Sequence, residues 1–297
     1  MHPHTDSRLG QTVADLAEKI NDPAKRPVRV ISELRAQQAA DLCQTDLGQV
    51  YRTALEAGIW PVRYMRNTAS LSIQDQLKLA RSRIAVIGAG GLGGHIAAAA
   101  ARTGIGGITI ADPDAFAESN LNRQAMCFSE TLGTNKAAAA KTVLAAINPA
   151  VDVRAFAVAM DRQNAGEILE GADAAADALD SVASRMTLAA ACRQAGIPLV
   201  HAAIAGFEGQ IMSIFPREPG IEAVYGSPDE HSASGPPPEA VMGVPGVTPA
   251  LMATLQVMEI IKILLGRGRV LRNRMLYVDL ENAGFQELSF DNDSDPS

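Results

Sequence analysis

Cysteine is scarce in this sequence, and its cysteines never occur in pairs. The 297 residues contain three cysteines, Cys43, Cys127 and Cys192, and no C-x-x-C spacing. Four-cysteine zinc sites use two such pairs, and a disulfide framework needs a larger, even number of cysteines. The sequence therefore predicts neither a zinc site nor a fold held by disulfides.

Aromatic residues and long apolar runs are also scarce. Aromatic residues make up 4% of the chain, and its first six residues, M-H-P-H-T-D, lack the apolar stretch of a secretion signal. The most apolar late segment, 250–265, is interrupted by Glu259 and Lys262, whereas a membrane-spanning helix carries few or no charges. We therefore expect a cytoplasmic protein without a membrane partner, in which this segment is a buried helix.

A net positive charge is absent as well. The chain carries 33 acidic and 26 basic residues, for a net charge of −7 at pH 7, so nucleic acid is not expected as a partner. A hydrophobic content of 47% with 20% charged residues is typical of a folded α/β protein that buries a full core.

Strand-like and helix-like segments alternate between residues 83 and 204. The predicted strands cover 83–88, 107–112, 151–157, 173–178 and 198–204, with helices over 92–103, 134–147, 163–170 and 182–195. Such alternation predicts a Rossmann-like, doubly wound, mainly parallel sheet with helices on both faces. A strand over 209–215, a long loop over 216–249, a helix over 248–265 and a closing hairpin over 274–290 are expected to follow.

The ends of the chain differ in character from this central part. Residues 1–62 show helical patterns over 12–20, 32–43 and 47–57, which predicts a small N-terminal helical extension. Residues 63–290 are expected to form the main domain, and the acidic tail, 291–297, is predicted to be disordered.

A glycine-rich loop follows the first strand of the main domain. Gly88, Gly90 and Gly93 have the G-x-G-x-x-G spacing, with Gly91 between them, and an alanine-rich helix follows. This spacing lets phosphates approach a helix N-terminus in both dinucleotide and ATP sites. Asp112 ends the next strand, at the distance where an acidic residue binds ribose hydroxyls.

The segment that follows Asp112 distinguishes an ATP site from an NAD site. Arg123 and Lys136 follow within a short stretch, and two fixed cations suit a triphosphate better than a nicotinamide. Polar side chains accompany them at Ser119, Asn120 and Gln124. The sequence therefore favours ATP, with an NAD-dependent dehydrogenase as an alternative.

These motifs, taken in order, resemble the adenylyltransferase family that includes MoeB, ThiF, HesA and the ubiquitin-activating enzymes. The glycine loop, the strand-ending Asp, the N-x-x-R-Q segment and the downstream Lys stand at matching spacing. R-Y-M-R-N at 63–67, D-A-L-D-S-V-A-S-R at 177–185 and the stretch 198–210 resemble further family elements, so the resemblance covers residues 63–288. It implies a zinc-less member with an N-terminal helical extension.

The resemblance implies a reaction. A carboxylate attacks the α-phosphate of ATP, releases pyrophosphate and becomes an acyl-adenylate. The expected substrate is the C-terminal glycine of a small ubiquitin-like sulfur carrier of the MoaD or ThiS type, which serves molybdenum or tungsten cofactor or thiamine synthesis. Loop 216–249 would be the crossover that lies over the active site, and it contains no cysteine for a covalent second step.

The resemblance also implies residue roles. The glycines admit phosphates, Asp112 binds ribose, and Asp180 holds the Mg²⁺ of ATP. Asn120, Arg123 and Lys136 hold the phosphates, with Ser119, Gln124 and Ser181 nearby. Arg66 reaches the ATP of a neighbouring subunit, which implies a homodimer.

Three of these residues have simpler structural interpretations. Asp112 could cap its strand, Asp180 could N-cap the helix that begins at Val182, and Arg66 could be an exposed ion-pair partner. Two other functions are also open. The acceptor could be another carboxylate, on modified tRNA or on a peptide, or the chain could be a non-catalytic scaffold of the same family.

Overall fold

The N-terminal extension is a small unit of helices and strands whose core continues into the main domain in the computed structural model, which describes residues 3–218, 220–226 and 238–290. Its elements are α1 (Pro3–Leu16), β1 (Glu18–Asn21), β2 (Pro27–Ile31), α2 (Glu33–Cys43), α3 (Leu47–Glu56) and β3 (Ile59–Pro61). The strands form a small sheet in the order β1-β2-β3, antiparallel and then parallel. The predicted tail, 291–297, lies outside the described residues.

The prediction of a purely helical extension is therefore wrong in one respect. The predicted helix over 12–20 ends at Leu16, because residues 18–21 pair instead with the β-branched strand β2. Asp22 closes the hairpin, since its Oδ1 accepts from the Arg26 backbone N at 2.8 Å. The predicted helices over 32–43 and 47–57 are present as α2 and α3.

Tyr64 joins this unit to the main domain. Its hydroxyl accepts from Asn148 Nδ2 at 2.8 Å, and its ring packs edge-on against Tyr51. Burial raises the pKa of Tyr64 to about 12, so the hydroxyl stays protonated at neutral pH. Arg63 adds a second link through a 2.8 Å bond to the Ile147 carbonyl.

An eight-stranded sheet forms the centre of the main domain, in the order β11-β10-β9-β8-β7-β4-β5-β6. Its strands are β4 (Arg83–Ile87), β5 (Gly107–Ala111), β6 (Asp152–Phe156), β7 (Ala174–Asp177), β8 (Leu199–Ala205), β9 (Glu208–Ile214), β10 (Arg274–Asp279) and β11 (Gly284–Ser289). Strands β4 to β8 are parallel, and β9 to β11 continue the sheet antiparallel. The predicted mainly parallel sheet and closing hairpin are confirmed.

Helices cover both faces of this sheet. They are α4 (Ile73–Arg81), α5 (Gly91–Thr103), α6 (Lys136–Ile147), α7 (Ala165–Ile168), α8 (Val182–Ala195), α9 (Glu222–Tyr225), α10 (Pro238–Met242) and α11 (Val247–Leu265). Because side chains alternate along a strand, Ile84 and Val86 pack into the core with α5, α6 and α11, while Ala85 and Ile87 pack with α7 and α8. The doubly wound prediction is confirmed.

Helix α11 is long and apolar enough to span a membrane by length and composition alone. Ten of its side chains are buried, and it packs on α5 and on strands β8 and β9, as a core helix does. Its buried Glu259 accepts from Ser213 Oγ and from the Leu271 backbone N, both at 2.9 Å, and forms an ion pair with Lys262. This charge cluster ties the antiparallel strands to the helix layer.

Candidate active site

A cavity of ≈ 550 Å³ opens at the carboxyl ends of the parallel strands. Strand β4 pairs with β5 on one side and with β7 on the other, so the chain order reverses at this point, which is where ligands bind in doubly wound sheets. Nine residues singled out from the sequence line the cavity: Gly88, Gly90, Gly91, Asp112, Asn120, Arg123, Gln124, Lys136 and Asp180.

The glycine loop forms the floor of the cavity. Gly88 has φ +96°, and a Cβ there would lie 2.4 Å from the Ala178 carbonyl oxygen. A Cβ on Gly93 would lie 1.8 Å from the Gly88 carbonyl oxygen, so Gly93 supports the loop from behind and does not line the cavity. The N-cap of α5 is Gly90, which has no side chain to bond the first backbone N–H groups of the helix and so leaves them open to an anionic ligand.

Asp112 follows β5 at the edge of the cavity. Its Oδ2 accepts from the Ala89 backbone N at 2.6 Å, and its Oδ1 accepts from the Asp114 backbone N at 2.9 Å. The carboxylate therefore organises both the glycine loop and the turn after β5. The strand-capping interpretation holds, and a ribose contact stays a prediction.

The segment 119–124 folds as a tight turn beside α5. Asn120 Oδ1 accepts from the Ala117 backbone N at 3.1 Å, and Arg123 Nη1 donates to the Ser119 carbonyl at 2.8 Å. Ser119 does not line the cavity and contributes this backbone carbonyl instead. Gln124 is buried, and its Oε1 has no partner among the described residues. A buried acceptor that faces a cavity fits a ligand that brings a donor.

Lys136 is the first residue of α6 and is buried against the cavity. Its Nζ lies 3.0 Å from Asp114 Oδ2, and its backbone N donates to the Asp114 carbonyl at 2.8 Å. Sequence reasoning missed Asp114, although the D-P-D run at 112–114 ends a predicted strand. The pair holds the ammonium group in place beside the cavity.

Asp180 lies in the loop between β7 and α8. Its carboxylate makes no hydrogen bond or ion pair with the residues that the structure describes, and it lines the cavity. Ser181 caps α8 by accepting from the Ser184 backbone N, so the alternative of Asp180 as the N-cap is wrong. Ser181 consequently faces its own helix and not the cavity.

One carboxylate of the site would suit a magnesium ion bound together with ATP. Across 3–218, 220–226 and 238–290, no three His, Cys, Asp or Glu side chains cluster as a metal site. Mg²⁺ in nucleotide sites takes one or two protein carboxylates, with phosphates and waters as its other ligands. The uncommitted carboxylate of Asp180 meets that requirement.

Two further arginines differ in their relation to the cavity. Arg185 on α8 lines it, and its Nη1 donates to the Tyr225 hydroxyl at 2.6 Å. Arg66, by contrast, is exposed in the turn after Tyr64 and lies outside the cavity of its own chain. A role in a neighbouring subunit stays a prediction.

The crossover supplies one wall. Glu239 and Val244 line the cavity, and Gly246 packs so closely that a Cβ there would lie 2.5 Å from the Asn122 carbonyl oxygen. Thr248 donates to the Gly206 carbonyl at 2.7 Å and holds the start of α11 against the end of β8. The part of the crossover over 227–237, including most of its proline run, lies outside the described residues.

The ThiF family model matches residues 64–297 of this chain. The chain belongs to the ThiF family. Over 217 residues it is 35% identical to the SAMP-activating enzyme E1 of Haloferax volcanii, a match that spans 73% of this chain and 80% of the relative. It is also 35% identical to the sulfur carrier protein adenylyltransferase of Thermus thermophilus, over 73% of this chain and 81% of that one.

Solved structures show the same ThiF-type fold. A crystal structure of E. coli MccB with ATP covers 86% of this chain and 82% of its own length, with a TM-score of 0.67 at 19% identity. That likeness concerns the fold alone. Together with its named relatives, the family places this ThiF protein among the adenylyltransferases, as the sequence predicts.

Proposed function

We propose that this ThiF-family adenylyltransferase transfers AMP from ATP to the C-terminal glycine of a small ubiquitin-like sulfur carrier of the MoaD or ThiS type. The observation that carries the proposal is one cavity that combines the glycine loop with the cations Arg123 and Lys136. The relative from Thermus thermophilus is named as a sulfur carrier protein adenylyltransferase, which supports this class of acceptor. The activated carrier would serve molybdenum or tungsten cofactor or thiamine synthesis.

In this proposal the protein brings together two anions, the carboxylate of the carrier and the triphosphate of ATP. The backbone of the glycine loop and the first turn of α5 take the phosphates, Asp112 takes the ribose, and Asn120 orients the reacting phosphate. Arg123 and Lys136 neutralise negative charge as the carboxylate approaches the α-phosphate and pyrophosphate leaves. Positioning and charge neutralisation supply most of the rate in phosphoryl-type transfer.

Asp180 would hold the Mg²⁺ of ATP. The ion, when bound, neutralises phosphate charge and makes pyrophosphate a better leaving group. The carrier tail would enter along the wall that Val244 and Glu239 form. Ser119 and Ser181 keep supporting roles, because the Ser119 carbonyl accepts from the Arg123 guanidinium and the Ser181 hydroxyl accepts from the Ser184 backbone N.

The direct test is the mass of the carrier after incubation with this chain, ATP and Mg²⁺. From a panel of small carriers that end in Gly-Gly, we expect one to gain an AMP group. The same carrier without its last glycine should gain none, because its carboxylate would fall about 3.5 Å short of the α-phosphate. Adenylation of tRNA or of a peptide instead, with no carrier modified, would contradict the proposed acceptor.

We also propose that the enzyme works as a homodimer in which Arg66 completes the neighbour's site. Arg66→Ala and Lys136→Ala are each expected to be inactive alone. Mixed in equal amounts and allowed to exchange subunits, they should recover roughly a quarter of wild-type activity, because half the dimers are mixed and each has one intact site. No recovery, although mass spectrometry shows mixed dimers, would contradict an Arg66 that acts across the interface.

A further inference from the structure

A buried polar network lies behind the loop that carries Asp180. His201 Nδ1 lies 2.7 Å from Asp177 Oδ2, and both side chains are fully buried. The Tyr225 hydroxyl lies 3.3 Å from His201 Nε2 and accepts from Arg185 Nη1 at 2.6 Å. Gln210 Nε2 donates to the same hydroxyl at 3.3 Å.

The proton positions in this network follow from its end groups. An ionised carboxylate only accepts, so His201 donates from Nδ1 to Asp177. Nε2 of the same ring faces the Tyr225 hydroxyl, whose oxygen accepts from Arg185 and Gln210. Burial raises the pKa of Tyr225, so its hydroxyl keeps its proton.

The network ends on the peptide that leads into Asp180. Arg185 donates to the Leu179 carbonyl from both Nε, at 3.2 Å, and Nη2, at 2.8 Å. Asp177 Oδ1 accepts from the Leu179 backbone N at 2.9 Å. The N–H and the carbonyl of Leu179 are thus both held by the network. These bonds fix the backbone that precedes Asp180 and so the position of Asp180 at the cavity.

Tyr225 connects the buried polar network to helix α9. It ends α9, the short helix that follows β9, whereas Asp177 and Arg185 belong to the parallel half of the sheet and to α8. The guanidinium of Arg185 lies 5.7 Å from the centre of the Tyr225 ring, and its Nε lies 3.8 Å from Asp177 Oδ2. Arg185 therefore balances the buried carboxylate while it bridges Tyr225 and Leu179.

We propose that Tyr225, acting through Arg185, is a positioning residue for the Asp180 carboxylate, so that the packing of α9 against Arg185 controls how well the site takes Mg²⁺ with ATP. The inference rests on the proposed function, because it takes Asp180 as the magnesium ligand. Tyr225 does not line the cavity, and Arg185, which does, is proposed to act on Asp180 through its two bonds to the Leu179 carbonyl. Each acts through the backbone of Leu179.

The test is calorimetric titration of ATP into the full chain, once with Mg²⁺ and once with EDTA. Tyr225→Phe removes the hydroxyl and keeps the ring. It is expected to raise the Kd for ATP about tenfold with Mg²⁺, the effect of losing one hydrogen bond to a charged group, and to leave the Kd in EDTA within about twofold of wild type. Arg185→Lys keeps the charge but loses the planar fork, so it should show the same selective loss.

Tyr64→Phe is the matched control, since it removes another buried hydroxyl, one that accepts from Asn148 outside the cavity. It is expected to lower the melting temperature and leave both ATP affinities unchanged. Equal losses with and without Mg²⁺ in Tyr225→Phe, or no loss, would overturn the inference and leave the proposed function standing. A wild-type chain that binds ATP in neither buffer would overturn both.

Discussion

Replacement of Lys136 by alanine is expected to reduce the rate of adenylation at least about 100-fold, because removal of one group that stabilises transition-state charge has effects of that size. Lys136 is buried at the start of α6, and its ammonium is held 3.0 Å from Asp114 beside the cavity. A lysine held in this way loses little freedom when phosphates arrive. Arg123→Ala is expected to show a loss of the same order, since Arg123 supplies the second cation.

Lys141→Ala is the matched control for this experiment. Lys141 lies on the same helix α6 and is exposed. Its removal changes the net charge by the same amount without touching the cavity, and it should leave the rate of adenylation and the melting temperature near those of the wild type. Full activity in Lys136→Ala, measured as AMP transferred to the carrier, would rule out the proposed charge neutralisation.

Gly93→Ala is expected to abolish tight ATP binding, with at least about a tenfold rise in Kd, because the added methyl must displace the loop that holds the phosphates. A Cβ at this position would lie 1.8 Å from the Gly88 carbonyl oxygen and 3.2 Å from the Ala178 side chain. Both neighbours belong to the floor of the cavity. Overpacking of this kind also lowers the free energy of unfolding, by about 1–3 kcal/mol.

Gly10→Ala controls for the general effect of adding a methyl group to a helical glycine. Gly10 lies within α1, and nothing stands within 4 Å of a Cβ built there. This change should stabilise the helix by about 0.5–1 kcal/mol and leave the Kd for ATP unchanged. For both variants, calorimetric titration measures the Kd for ATP and urea unfolding measures the free energy of unfolding. An unaltered ATP affinity in Gly93→Ala would contradict the packing of the glycine loop described above.

The main sheet could be predicted from the sequence because its signals are local. Four of the five parallel strands, β4, β5, β7 and β8, are short and largely apolar and end at or directly before a glycine or an aspartate, and Ile84 to Ile87 is typical. Strand β1 has no such signal. Its residues, E-K-I-N, are mostly polar and exposed, and they form a strand only because Val28 and Val30 lie opposite them. Pairing of this kind depends on a partner that no pattern within the strand identifies.

The candidate site, like the sheet, could be predicted only where its signals are local in the sequence. Residues of the local motifs, such as Gly88, Arg123 and Lys136, could be assigned to one site from the motifs and the family resemblance that they carry, and all three line the cavity. The network of Tyr225, His201 and Asp177 could not, because its members lie 24 residues apart in the chain and meet only through the sheet. His201 showed no ligand-like spacing in the sequence, and its contact with Asp177 follows from the pairing of β7 with β8.

The most direct test of adenylation is exchange of labelled pyrophosphate into ATP by the wild-type chain, measured with Mg²⁺ and with the carrier identified by mass. Reversible attack on the α-phosphate predicts that label enters ATP only when both the carrier and Mg²⁺ are present. It also predicts that the carrier without its final glycine supports no exchange. Release of inorganic phosphate without exchange, by a chain that binds both ATP and the carrier, would show that another bond of ATP is broken and would contradict adenylation.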